Sequence, residues 1–167
     1  MTVDDLRRRF DYGYWANRKL FAVVGRLTQD QFAQPVAGSY GSVRNTLVHM
    51  LSAEWGWVAR CGGPSRGPAL KADDYPTFEV LLGKWLTVEG YVAEFLAALS
   101  DEDLQRVIEY DLGGGPTLAP VGELLEHAAN HSVHHRGQLA LLLRVIGVPP
   151  GNVDLLFYDA EKHAAGA

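Results

Sequence analysis

Apolar residues recur at intervals of three and four along most of this chain, and in four stretches that rhythm lasts long enough to predict a helix. The first stretch runs from about residue 3 to 27. Leu6, Phe10, Gly13, Asn17, Leu20, Val24 and Leu27 form one stripe behind a capping box, Thr2 with Asp5 three residues later. The second follows Ser42 as N-cap, runs from Val43 to about Arg60 and stops at Gly62, Gly63 and Pro64. Its main apolar side is Val43, Leu47, Met50, Leu51 and Val58. His49 shares the other side with Thr46, Ala53 and Gly56, whose small side chains let another helix come close. The third, capped by Thr77, carries the cleanest pattern, from Phe78 through Leu81, Trp85, Val88 and Val92 to Leu96 and Leu99. The fourth is opened by Pro120 and closed by Gly147 with Pro149 and Pro150. There Leu124, Ala128, His131, His135, Leu139, Leu142 and Ile146 share a face that should point into a core.

The segments between the stripes are of three kinds. Residues 28–41 and 62–76 are rich in turn formers and read as loops. Residues 100–120 make a crossover too long to be structureless, so a short extended pair or a turn of helix is expected there. The tail after Gly151 offers an apolar patch at Leu155 to Tyr158 before a frayed end. With no alternating strand pattern and no internal repeat, the expected fold class is all-α, a four-helix bundle with long connecting loops, in a single domain over residues 1–167.

Composition narrows the function classes. A hydrophobic fraction of 47% and a charged fraction of 21% place the chain among ordinary globular proteins. The net charge of −5 and a longest basic run of only Arg7, Arg8 and Arg9 argue against a nucleic-acid partner. Cys61 is the only cysteine, which excludes an intrachain disulfide and reads as an inert residue at a helix end. The N-terminal residues carry acids and arginines where a signal peptide needs an apolar centre, and no apolar run is long enough for a membrane span. A cytoplasmic location without a membrane partner is therefore expected.

Polar residues inside the stripes point to chemistry. Asn17 must find hydrogen-bond partners in the interior, and a structural bond to a neighbouring helix end or loop is the expectation. His131 and His135 stand where the pattern calls for leucine. Four residues apart, their Cβ atoms lie within roughly 6 Å, close enough to chelate one ion. Catalytic sites commonly use three protein ligands with further positions open, and Glu54, Glu123, Glu126, His127 and His49 are the candidates for the third. Ligands at 127, 131 and 135 would spread over about 12 Å of helix axis, too far for one ion. The third must come from another helix, and His49 is the only other histidine predicted on one. Imidazoles suit zinc, nickel, iron or manganese alike. Arg136 reads as an ion-pair partner of a first-helix carboxylate, or else as an anchor for an anionic substrate.

The segment GSYGSVRNTLVHMLSAEWGWVARCGG, the segment HAANHSVHHRGQLALLLRVIGVPPGNVDLLFY, and YGYWANRKL near the start together resemble the DinB family of bacterial proteins, which includes YfiT-like members. The H-x-x-x-H-R-G-Q run from His131 to Gln138 and the tail from Pro149 to Tyr158 carry most of the resemblance, which extends over essentially the whole chain. It implies a four-helix bundle that binds one divalent metal ion through His49, His131 and His135. His127 and His134 would lie beside the ligands or on the surface, and His163 in the tail. It also implies homodimers, and a small-molecule substrate that includes a low-molecular-weight thiol, since related proteins are transferases and isomerases using bacillithiol, mycothiol or glutathione. The expected function is thus a metal-dependent thiol S-transferase. A metal-dependent hydrolase and a non-catalytic stress-response or metal-binding protein of the same fold are the alternatives. A di-iron carboxylate bundle is set aside, because Glu123 precedes His127 by four residues and no second Glu-x-x-His exists.

Overall fold

The computed structural model describes residues 1–65 and 67–165. The helices are α1 (Val3–Val24), α2 (Gln29–Ala33), α3 (Val43–Arg60), α4 (Phe78–Ala98), α5 (Val121–Val145) and α6 (Leu155–Ala165). Strands β1 (Val107–Tyr110) and β2 (Thr117–Pro120) pair antiparallel, with Val107 opposite Pro120 and Tyr110 opposite Thr117. The chain is mostly helical, and the crossover before α5 holds both of the expected alternatives, a helical turn at Asp103–Gln105 and the extended pair.

The predicted caps set the helix starts. The Thr2 hydroxyl accepts from the Asp5 amide at 3.1 Å while the Asp5 carboxylate accepts from the Thr2 amide at 2.8 Å, which closes the capping box of α1. The Ser42 hydroxyl accepts from the Asn45 amide at 3.0 Å at the start of α3, and the Thr77 hydroxyl accepts from the Val80 amide at 3.4 Å at the start of α4. Gly147, in the left-handed region at φ +81°, ends α5 and lets the Val148 amide reach back to the Leu143 carbonyl at 2.9 Å.

The stripes of the long helices meet in one core. α5 packs against α3 and α1, and α4 packs against both of them as well. Leu6, Leu20, Leu47, Leu51, Leu81, Val88, Leu125, Leu139 and Leu143 have no exposed surface at all. At roughly 1.5–3 kcal/mol for each fully buried side chain of this size, these contacts contribute strongly to holding the long helices together. His49 on α3 and His131 and His135 on α5 lie across the α3–α5 contact, so the packing that buries leucines also brings the histidines face to face.

Four details depart from the sequence expectations. α1 ends at Val24 rather than Leu27, because Gly25 caps it. The loop over 28–41 contains the short α2, whose capping box of Thr28 and Gln31 holds Phe32 against the core at 2% exposure. The tail is helical as α6. Its patch buries only Tyr158 and leaves Leu155, Leu156 and Phe157 exposed. Tyr158 meets Tyr12 and Trp15 edge to face, the Tyr12 hydroxyl donates to the Val153 carbonyl at 3.0 Å, and Arg8 pairs with Asp159 at 2.6 Å. Those contacts with α1, made 140 or more residues away, were invisible to local patterning. Finally, Asn17 is 1% exposed, and neither atom of its amide has a hydrogen-bond partner among the described residues, so the expected structural bond is not made.

Arg7 pairs with Asp4, Arg8 with Asp159 and Arg9 with Glu126, so the longest basic run is neutralised by neighbouring carboxylates. No helix of the described residues is long and apolar enough to cross a membrane.

Candidate metal centre

His131 and His135 project from adjacent turns of α5, and His49 faces them from α3. Their Nε2 atoms converge. His49 lies 3.1 Å from His135 and 3.4 Å from His131, and the last two are 3.0 Å apart. No other group of three or more such side chains is close enough to hold an ion among the described residues. A tetrahedral ion about 2.0–2.1 Å from each nitrogen needs its ligands about 3.4 Å apart, and an octahedral one needs them about 3 Å apart. The set accommodates either geometry and so leaves the metal open.

The electrostatics favour the ligating form of the rings. Burial, and then the neighbouring imidazoles, push His49 and His131 down to about 4. Burial also lowers His135, although its bond to Gln138 opposes this. All three are therefore neutral near pH 7, with a lone pair for each ring. Gln138 fixes which nitrogen carries it on His135: Nδ1–H donates to the Gln138 carbonyl oxygen at 2.7 Å, which leaves Nε2 as the acceptor pointing at the other two rings. The same oxygen accepts from the Ser39 hydroxyl at 2.8 Å, and the Gln138 amide nitrogen donates to His134 at 2.9 Å.

Sequence reasoning missed Tyr40. Its ring stacks on His49 with centroids 3.9 Å apart and planes 18° from parallel, and its hydroxyl is 2.9 Å from His49 Nε2. It sits on the loop between α2 and α3, where a stripe analysis gives no signal. The only hint was the density of glycines around it.

The other candidates fall outside the cluster. His127 is exposed and packs edge to face on Trp57, His134 is exposed, and His163 lies on α6. Glu123 is exposed, and Glu126 is tied to Arg9. Glu54 is buried beside Ser132, whose hydroxyl donates to it at 3.4 Å, and burial pushes its carboxyl up to about 7. Arg136 is not paired with a first-helix carboxylate as expected. It is 3% exposed, with its guanidinium 5.2 Å from the centre of the Tyr12 ring and the Glu54 charge within range on α3. It also lines a hollow beside Tyr12 and Val133. Cys61 is fully buried at the end of α3, and burial pushes its thiol up to about 11, so it is not a nucleophile near neutrality.

Two concavities, of about 640 and 440 Å³, share Tyr12 and Val133, and no histidine lines either of them. Val133 is about half a turn of helix from both His131 and His135, so these hollows open on the other side of α5. The first is lined by Arg8 and Arg9, both already paired. The convergence of three Nε2 atoms makes the histidine cluster, rather than either hollow, the chemical centre.

A family model described as the DinB family matches residues 1–164. Among curated proteins, Protein DinB of Bacillus subtilis (strain 168) is 24% identical over 157 residues, covering 89% of this chain and 90% of that protein. YizA of the same organism, described as uncharacterized, is 23% identical over 141 residues, covering 84% and 87%. The crystal structure of a DinB-like protein from Bacillus cereus ATCC 10987 superposes with a TM-score of 0.72 at 21% identity, covering 92% of this chain and 98% of that one. That likeness is one of fold.

Proposed function

The chain belongs to the DinB family, and from that premise we propose that it is a metal-dependent thiol S-transferase built as a single four-helix-bundle domain. His49, His131 and His135 would hold one divalent ion, zinc, nickel, iron or manganese. The observation that carries this reading is the meeting of three Nε2 atoms within 3.0–3.4 Å, each ring neutral near pH 7.

A divalent cation at that point supplies Lewis acidity, which keeps a low-molecular-weight thiol deprotonated near neutral pH. The chain's own residues do the rest. Gln138 holds the His135 ring in one tautomer, α3 and α5 hold the three nitrogens together, and the loop carrying Ser39 and Tyr40 forms the rim. Reaction of the thiolate sulfur with an electrophilic carbon forms the new C–S bond, and the leaving group departs with the electron pair. Further parts of the same reading are a cytoplasmic location and a homodimer, the latter testable by gel filtration with light scattering.

The test is an assay of the metal-loaded protein with bacillithiol, mycothiol or glutathione and a chlorinated nitroarene. Metal-dependent thioether formation that disappears in His135→Ala supports transfer. Absence of conjugation with all three thiols, alongside metal-dependent cleavage of ester or amide substrates, would replace transfer by hydrolysis.

A further inference from the structure

Tyr40 lies beside the histidine cluster without belonging to its ligand set. Its position is enforced by the backbone: Gly38, Ser39 and Gly41 all have positive φ, at +94°, +47° and +81°. The non-glycine Ser39 accepts that cost where its hydroxyl bonds Gln138 on α5. The Val36 amide donates to the Gly41 carbonyl at 2.8 Å, and Asn45 Nδ2 donates to the Tyr40 carbonyl at 3.1 Å, so the loop is tied at both ends. A wound, strained and doubly tethered loop is a costly way to present a tyrosine that remains 43% exposed.

The stacking geometry says what the hydroxyl can do. With the two rings nearly parallel and their centroids 3.9 Å apart, the hydroxyl lies within hydrogen-bond distance of His49 Nε2, at 2.9 Å. An ion that took the Nε2 lone pair would displace this bond and leave the hydroxyl proton for a neighbour. The neighbour it overlooks is the space in front of the three Nε2 atoms, reached from the half-buried side of His49 and His131.

We propose that the Tyr40 hydroxyl donates a hydrogen bond to the guest held at the open side of the histidine cluster. It thereby selects guests that keep an acceptor lone pair once bound, such as a thiolate or another small anion, over neutral nitrogen donors that do not. This rests on the metal reading above and deepens it by assigning the residue that discriminates among guests. Tyr40→Phe keeps the stacked ring and removes only the donor.

The experiment loads wild-type and Tyr40→Phe protein with cobalt(II) and titrates each with azide and with imidazole, following visible absorption. Cobalt stoichiometry and affinity should match in the two proteins. Azide should bind the variant more weakly, on the order of fivefold for one lost hydrogen bond, while imidazole affinity stays unchanged. Equal azide affinities would overturn the proposal. So would a parallel fall for azide and imidazole, since that reports a disturbed site, or loss of cobalt from the variant, since the hydroxyl would then be holding the ion. Failure of the wild-type protein itself to take up cobalt would instead overturn the metal reading, and this proposal with it.

Discussion

Gln138 stands one helical turn after His135, and its side-chain oxygen receives two donors at once, His135 Nδ1 at 2.7 Å and the Ser39 hydroxyl at 2.8 Å. One residue thus sets the tautomer of a candidate ligand and anchors the loop that bears Tyr40. Replacing it with leucine keeps the volume and removes both bonds. Outer partners of metal-binding histidines typically contribute ten- to hundredfold in affinity. Gln138→Leu should therefore weaken zinc binding by about tenfold or more in a chelator competition, with the helical circular dichroism unchanged. Equal affinity would remove Gln138 from the site.

Glu54 gives a pH signature separate from the cluster. Burial raises its carboxyl from 4.5 to about 7 in the folded chain, with the nearby Arg136 charge opposing. The folded state thus holds a proton that the unfolded state has released. The stabilisation is complete below about pH 4.5 and is lost as pH rises through 7, at no more than roughly 1.4 kcal/mol per pH unit. Glu54→Gln, which cannot ionise, should gain stability relative to wild type between pH 5 and pH 8 in urea titrations. A pH-independent difference between the two would contradict the burial argument.

Gly63 lies just beyond the end of α3, in a place where no side chain fits. A Cβ there would come 2.9 Å from the Val58 carbonyl oxygen and 3.3 Å from the Phe95 ring. Because backbone and a packed aromatic cannot both retreat cheaply, Gly63→Ala should cost about 1–3 kcal/mol in chemical denaturation. Gly83→Ala on α4, where a Cβ meets nothing within 4 Å, should instead be neutral to stabilising.

Much of the fold is legible in the sequence. The four stripes gave the long helices because burying one face of an α-helix leaves a period of three to four residues that needs no knowledge of the partner. Ser42, Thr77 and the Thr2–Asp5 box likewise act through neighbours three residues away. His131 and His135 showed themselves by interrupting such a stripe. His49 did not, because its side of α3 is lined by small residues and becomes half-buried only when α5 and the 34–42 loop pack over it. Tyr40, Phe32 and the docking of α6 on Tyr12 and Trp15 depend on contacts between distant segments, which periodicity does not encode. Arg136 shows the same limit: its charge suggested a carboxylate on α1, whereas packing laid it over the Tyr12 ring instead.

In the proposed function, three imidazoles from α3 and α5 hold a single ion between them. Metal content by mass spectrometry, measured after zinc loading and exhaustive dialysis, tests it most directly on wild type and on His49→Ala, His131→Ala and His135→Ala, each checked for folding by circular dichroism. One ion per chain in wild type and loss of it in every folded variant is the result this account requires. An ion retained in full by the three variants, or none bound by the wild-type protein, would contradict it.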